Sequence, residues 1–362
     1  MKKTATAMWG SIIYVVASGA AAQSSVTVMG LVDVYGGSIQ YGGDPSRRTV
    51  INSGGMSTSW FGFKGSEDLG GNMKAEFLLT GFFQGDSGTS GRFGGDNLFS
   101  RDALVALSGD FGKITLGRTS APSFLPAVQF NPFGDSFAFS PLILHTYVPA
   151  GPFGARNWIA TVASDSGWSN LVIYSPPKLG NLQFNFYYQP GQQSDNNIRN
   201  YAVNAFFTRG NLGLTASYHQ ARVSNPNSGL AIIDATATPI NYSSINRQES
   251  AYVGARYDFT VLKAFATYRQ SRDDTLGGKA MKDNTYSAGL SVPAGNGSIL
   301  LAYANTDRSG TLVGRDLKRD TLSMGYDYTL SKRTDLYTVY MSDKLSNSSR
   351  ANSYVAGIRH RY

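Results

Sequence analysis

Along most of this chain apolar and polar residues alternate with a period of two. Leu182, Phe184, Phe186 and Tyr188 alternate with Gln183, Asn185, Tyr187 and Gln189. The same rhythm runs through Leu212, Leu214, Ala216 and Tyr218, through Tyr286, Ala288, Leu290 and Val292, and through Leu322, Met324, Tyr326 and Tyr328. Period two predicts β-strands with one apolar and one polar face. Short turn signals, mostly centred on Gly or Asn, fall at Asp68–Asn72, Gly109–Lys113, Lys178–Asn181, Arg209–Asn211, Asp258–Val261, Pro293–Gly297 and Ser331–Arg333. Longer polar stretches lie at 42–57, 86–97, 120–166, 190–199, 223–246, 272–283, 308–318 and 344–350. Seven short turns and eight long stretches make fifteen connections, and so predict sixteen strands. Short connections on one side and long ones on the other fit a transmembrane barrel, whose apolar faces meet lipid while its polar faces line a lumen. A soluble extracytoplasmic sandwich of lectin type is the structural alternative.

Composition sharpens the choice. Only 15% of the residues are charged and 41% are hydrophobic, with 21 Tyr and 20 Phe. A soluble protein carries about a quarter charged residues. Few charges, many aromatics and many small polar residues suit a wall with lipid on one side and water on the other. Cysteine is absent, which removes disulfide scaffolds and Cys-based metal or redox centres.

Lys2 and Lys3 precede a mostly apolar stretch from Ala5 to Val16, followed by Ala20, Ala21 and Ala22. That order of charge, apolar run and small residues predicts a signal peptide over 1–22, leaving 23–362 as one barrel domain. Its removal takes the formal charge from +8 to +6 by loss of the two lysines. No other apolar run approaches the ~20 residues of a membrane helix, so a membrane location requires a closed barrel.

The third long stretch spans about 47 residues, a length that usually signals function. It carries Phe124, Phe130, Phe133, Phe137, Phe139, Tyr147, Phe153 and Trp158, and between Thr119 and Ser164 its only acid is Asp135 and its only strong base Arg156. So apolar a segment is expected to fold inward against the wall. A surface lid packed on its own residues is the plainer alternative.

At this point the sequence resembles a known family. Ser25-Val26-Thr27-Val28-Met29-Gly30, Phe63-Lys64-Gly65-Ser66-Glu67-Asp68-Leu69-Gly70, Phe99-Ser100-Arg101-Asp102-Ala103, Thr115-Leu116-Gly117-Arg118, Asn131-Pro132-Phe133-Gly134-Asp135 and the terminal Gly357-Ile358-Arg359-His360-Arg361-Tyr362 resemble segments of the β-proteobacterial general porins. The resemblance covers the whole mature chain and is specific at both ends and over 60–118. It implies an all-β, sixteen-stranded antiparallel transmembrane barrel in the outer membrane, with the third long loop folded into the lumen. It further implies a homotrimer that meets outer-membrane lipid and lipopolysaccharide, is delivered by the barrel assembly machinery and passes small hydrophilic solutes.

The family sets arginines on one wall of a constriction against acids on the third loop. On that basis Arg101, Asp135, Trp60, Arg156 and Phe133 are the candidate constriction residues. Arg118 is the candidate trimer latch, matching an Arg that in the family holds a neighbour's second loop, with Asp86 or Asp96 as its partner; a simple surface charge is the alternative. Tyr362 is the candidate assembly signal. Arg101 is expected to point inward if Ala103 and Val105 do; a solvated rim charge is the alternative. Three departures stand out. Trp60 occupies a position usually Arg, and Ile173 one where Lys is common, while Gly167 and Trp168 fall where a further base is expected. A substrate-selective channel, its constriction less charged than the family norm and lined by an aromatic track for sugars or aromatic acids, is therefore the competing reading.

Enzymatic function has little support. Histidines occur only at 145, 219 and 360, and there is no Gly-x-Ser-x-Gly elbow, His/Cys metal cluster or phosphate-cradling glycine loop. The basic residues are scattered, which argues against nucleic acid as a partner, and no cofactor is implied.

Overall fold

The computed structural model describes residues 25–154, 165–191, 198–223, 240 and 242–362. Its strands are β1 (Ser25–Ile39), β2 (Arg48–Ser53), β3 (Trp60–Gly70), β4 (Met73–Phe82), β5 (Asp102–Gly109), β6 (Gly112–Ser120), β7 (Gly167–Ser175), β8 (Leu182–Pro190), β9 (Arg199–Arg209), β10 (Leu212–Ala221), β11 (Ile245–Asp258), β12 (Lys263–Thr275), β13 (Ala280–Ala294), β14 (Gly297–Ser309), β15 (Leu317–Thr329), β16 (Thr334–Leu345) and β17 (Ala351–Arg361). Two short helices, α1 (Phe124–Gln129) and α2 (Pro141–Tyr147), interrupt the third long connection.

Every neighbouring pair is antiparallel, and β17 returns to β1, with Leu31 opposite Arg361 and Ser38 opposite Tyr354. The sheet is a closed barrel of sixteen staves, because β2 and β3 together form one stave. β3 faces β1 from Leu31↔Trp60 to Ser25↔Ser66, and β2 faces it from Val34↔Ser53 to Ile39↔Arg48. Only Val32 and Asp33 of β1 lie between these registers, against six residues, 54–59, on the other stave. The excess chain leaves the ladder as a long bulge. The expected loop at 42–57 is thus partly strand, and the one at 272–283 shrinks to 276–279, since β12 and β13 continue their alternation past it. The short turns lie where the Gly and Asn signals put them.

Closure sorts the two faces. Val253, Tyr286, Ile299, Tyr303, Met324 and Ile358 are exposed, while Ser250, Thr267, Thr285, Thr306, Thr321 and Ser323 are buried. A closed barrel buries a polar face only on its inside, so the apolar exterior suits lipid. At the seam, Gly30 N–H donates to the Tyr362 carbonyl (3.2 Å) and Tyr362 N–H to that of Gly30 (3.1 Å). A Cβ on Gly30 would stand 2.4 Å from the Tyr362 hydroxyl and 2.9 Å from the Trp60 carbonyl, so a side chain there displaces the terminal ring.

Candidate functional site

The 120–154 segment packs against the polar face of the barrel, and the wall is shaped to receive it. Inward-facing Gly254, Gly289 and Gly325 leave notches, where a Cβ would meet Phe130 at 3.2 Å, Pro132 at 2.6 Å and Phe133 at 3.3 Å. Phe133 and Phe139 are buried in a cluster with Tyr35, Ile39, Ala302, Val339 and Met341. Buried arginines bind the segment's backbone. Arg319 donates to the carbonyls of Leu144 (3.2 Å) and Val148 (2.7 Å) and forms a two-pronged pair with Asp343 (3.1 and 2.9 Å). Arg308 donates to the carbonyl of Phe153 (2.8 Å) and pairs with Asp283 (2.7 and 2.6 Å). On α2, each ring nitrogen of His145 lies 2.8 Å from a wall hydroxyl, Thr306 on one side and Thr321 on the other. Burial, and then the neighbouring Arg319, hold its pKa well below the usual histidine value.

At the tip the side chain of Asn131 accepts from Phe133 N–H (2.9 Å) and donates to the carbonyls of Ala127 (2.7 Å) and Gly134 (2.9 Å), fixing the turn. The tip meets the 54–59 bulge. Ser136 donates to the carbonyl of Gly55 (2.5 Å), and Ser57 donates to the Asp135 carboxylate (2.7 Å).

Just beyond this bulge, pairing with Leu31 and Phe82 places Trp60 on the inner face with Gly62 and Lys64. The Arg101 guanidinium lies 4.1 Å from the Trp60 ring centre and 3.1 Å from Asp102. Asp102 also accepts from Thr80 and Thr119, each at 2.7 Å. The condition set for Arg101 fails: Val105 is among the exposed apolar residues of the outer face. Arg101 precedes β5 and is free of its alternation, and its side chain turns to inward-facing Asp102 instead. It remains 34% exposed. Lys64 is exposed and has no ion pair among the described residues. Arg256 donates to the carbonyl of Gln129 (3.2 Å) and lies over Phe130, with no ion pair among the described residues.

Other expectations need correction. Phe133 is 1% exposed, so it anchors the loop and cannot touch a solute. Within its own chain Arg118 pairs with Asp165 (3.1 Å). It sits at a register shift between Gly117 and Thr119, which turns it toward Asp165, Ser169 and the carbonyl of Ser100. Asp96 pairs with Arg92 (2.9 Å), which also pairs with Asp165 (2.7 Å). Ile173 and Trp168 are buried beside Ala121 and Leu171. Arg156 and the 1–22 segment lie outside the described residues. The sequence reading missed Arg308, Arg319 and Asp33, although each sits on the polar phase of an alternating strand.

A cavity of about 270 Å³ lies beside the tip, lined by Tyr35, Tyr41, Asn52, Arg92, Phe93 and Phe137 among others.

The sequence profile for Gram-negative porins matches residues 5–348. An outer membrane porin protein 32 of Delftia acidovorans is 32% identical over 327 residues, covering 89% of this chain and 84% of that protein. An outer membrane porin protein of Bordetella pertussis is 27% identical over the full length of both. Among solved structures, the anion-selective porin from Comamonas acidovorans superimposes with a TM-score of 0.73 at 26% identity, covering 94% of this chain and all of that one. The trimer form of OmpT from Vibrio cholerae gives 0.67 at 15% identity, covering 94% and 99%.

Proposed function

This chain belongs to the Gram-negative porin family and is an outer-membrane porin, and from that premise we propose that it conducts small hydrophilic solutes and ions by passive diffusion, with a mild preference for anions. The observation that carries this reading is the 120–154 segment held against the polar inner face. It narrows the water-filled space to a passage bordered by Trp60, Lys64, Arg101 and the Asp135 tip. Solutes are screened by size there and by the field of the fixed charges.

The sign of the field follows from which charges are free. Arg308 and Arg319 are neutralised by their own aspartates. Lys64 and Arg256 stand against Asp135, with Arg101 partly offset by Asp102, and the balance is positive. Charges in a narrow lumen act more strongly than in bulk water, and salt screens them within ~10 Å at 0.1 M. The test is the reversal potential across a planar bilayer under a KCl gradient. Anion preference that fades at high salt supports the reading, and cation preference at low salt contradicts it.

The cavity beside the tip favours a second reading, a weak subsite for sugars or aromatic acids, since four aromatic rings and the amide of Asn52 border it. Concentration-dependent block of the current by such a solute would distinguish it from free diffusion. The chain is also proposed to act as a homotrimer, with residues 1–22 removed on export. Gel mobility before and after heating, and the N-terminal sequence of the purified protein, test these points.

A further inference from the structure

Asp33 is fully buried on the inner face of β1. Its carboxylate accepts from the backbone N–H groups of Gly55 (3.1 Å), Met56 (2.8 Å) and Ser57 (2.8 Å), and from the Tyr337 hydroxyl. Its carbonyl accepts from Gly54 N–H (2.8 Å) and the Ser59 hydroxyl (3.2 Å), and its own N–H donates to Ser59 (3.0 Å). One residue thus holds nearly every turn of the 54–59 bulge. Gly55 is glycine because Tyr337 closes on it: a Cβ there would lie 2.0 Å from the Tyr337 hydroxyl.

The barrel ladder does not need this arrangement, since β1 pairs with β2 above it and β3 below it. What the bulge does touch is the tip of the 120–154 segment. Gly55 accepts from Ser136, and Ser57 donates to Asp135. Asp135 is the only acid between Thr119 and Ser164. The Ser57 hydroxyl also lies 3.4 Å from Arg359, whose charge is held by Asp335 and Asp327.

We propose that Asp33 is a positioning residue of the pore: by shaping the 54–59 bulge it fixes the loop tip and sets where the Asp135 carboxylate stands in the passage. A buried carboxylate with several N–H donors is a strong template, because each bond is charge-assisted and water is excluded. Losing the charge leaves three backbone donors without a full acceptor. The bulge then relaxes, and its two hydroxyl links to the tip go with it. This inference rests on the porin reading.

The test is single-channel recording of the full-length protein carrying Asp33→Asn, Ser136→Ala, or both, with heat-modifiable oligomer checked for each. Asp33→Asn is expected to raise the frequency of brief current transitions about ten-fold or more, the population change that loss of one charge-assisted bond brings. It should also move the reversal potential. Ser136→Ala should do the same to a smaller degree, and the double variant should go no further than Asp33→Asn alone. Fully multiplicative effects, or wild-type transitions in an intact Asp33→Asn oligomer, would overturn the proposal. If Asp33→Asn does not assemble, Tyr337→Phe removes one donor to the same carboxylate and should act in the same direction, again without adding to Ser136→Ala. A silent Tyr337→Phe would then overturn it. A wild-type protein that forms no conducting pore would instead refute the porin reading.

Discussion

Replacing Arg319 by methionine probes how the loop is held. The side chain is 1% exposed, and it binds Asp343 with two prongs and the carbonyls of Leu144 and Val148 with its remaining reach. Methionine keeps most of the volume and removes four hydrogen bonds. Asp343, itself fully buried, keeps Thr321 (2.6 Å) and Gly42 N–H (2.9 Å) but loses its countercharge. Breaking one side of a buried pair costs roughly 3–5 kcal/mol. At about 1.4 kcal/mol per decade, that raises the population of a detached loop by two to three decades or more. The cost falls on the loop rather than the barrel, because the strand ladder is backbone-bonded. We expect Arg319→Met to form normal oligomers, conduct with larger fluctuations, and let an external protease cut within 120–154. Arg319→Met/Asp343→Leu, which leaves neither charge stranded, should lie closer to wild type. If Arg319→Met matches wild type in both current fluctuation and protease resistance, the arginine does not hold the loop.

Deleting Tyr362, or replacing Gly30 by valine, should reduce heat-modifiable oligomer in membranes, because both break the same seam contact; normal levels in either variant would count against it. Lys64→Gln should move the reversal potential further toward cations than Arg101→Gln, since Arg101 is already partly offset by Asp102, and equal or reversed shifts would contradict that ranking. Trp60→Arg should raise anion preference and slow a neutral sugar in liposome swelling; unchanged permeation would put the indole outside the path. His145 is neutral when seated, whereas a released loop lets it titrate near the ordinary 6.5. Seating is therefore full above that pH and weakens as pH falls below it, so fluctuations should rise toward pH 5, and His145→Asn should flatten the dependence.

The strands were legible because lipid and water write alternate residues, as at Leu212–Tyr218 and Tyr286–Val292. The short turns were legible for the same local reason. What escaped were features that depend on distant partners. Nothing near Arg48–Ser53 announces that it completes a stave begun at Trp60. Arg118 finds Asp165 across a register shift that no local pattern marks. Phe133, read as a pore residue from its motif, is claimed by a notch at Gly325 nearly two hundred positions later in the chain. Arg308 and Arg319 look like any polar inner-face residue until the loop lies against them.

The distances along the chain have a temporal consequence. His145 rests on Thr306 and Thr321, 161 and 176 residues further on, and Arg319 reaches back 175 residues to Leu144. The loop emerges during synthesis long before its seats exist, and contacts that close such long intervals form late. β14 and β15, which seat the loop, lie close to the β17 seam, so the loop cannot dock until nearly the whole chain is present. A barrel closed with the loop unseated would be a wider pore, so the seats on β14 and β15 also set the size of the finished passage.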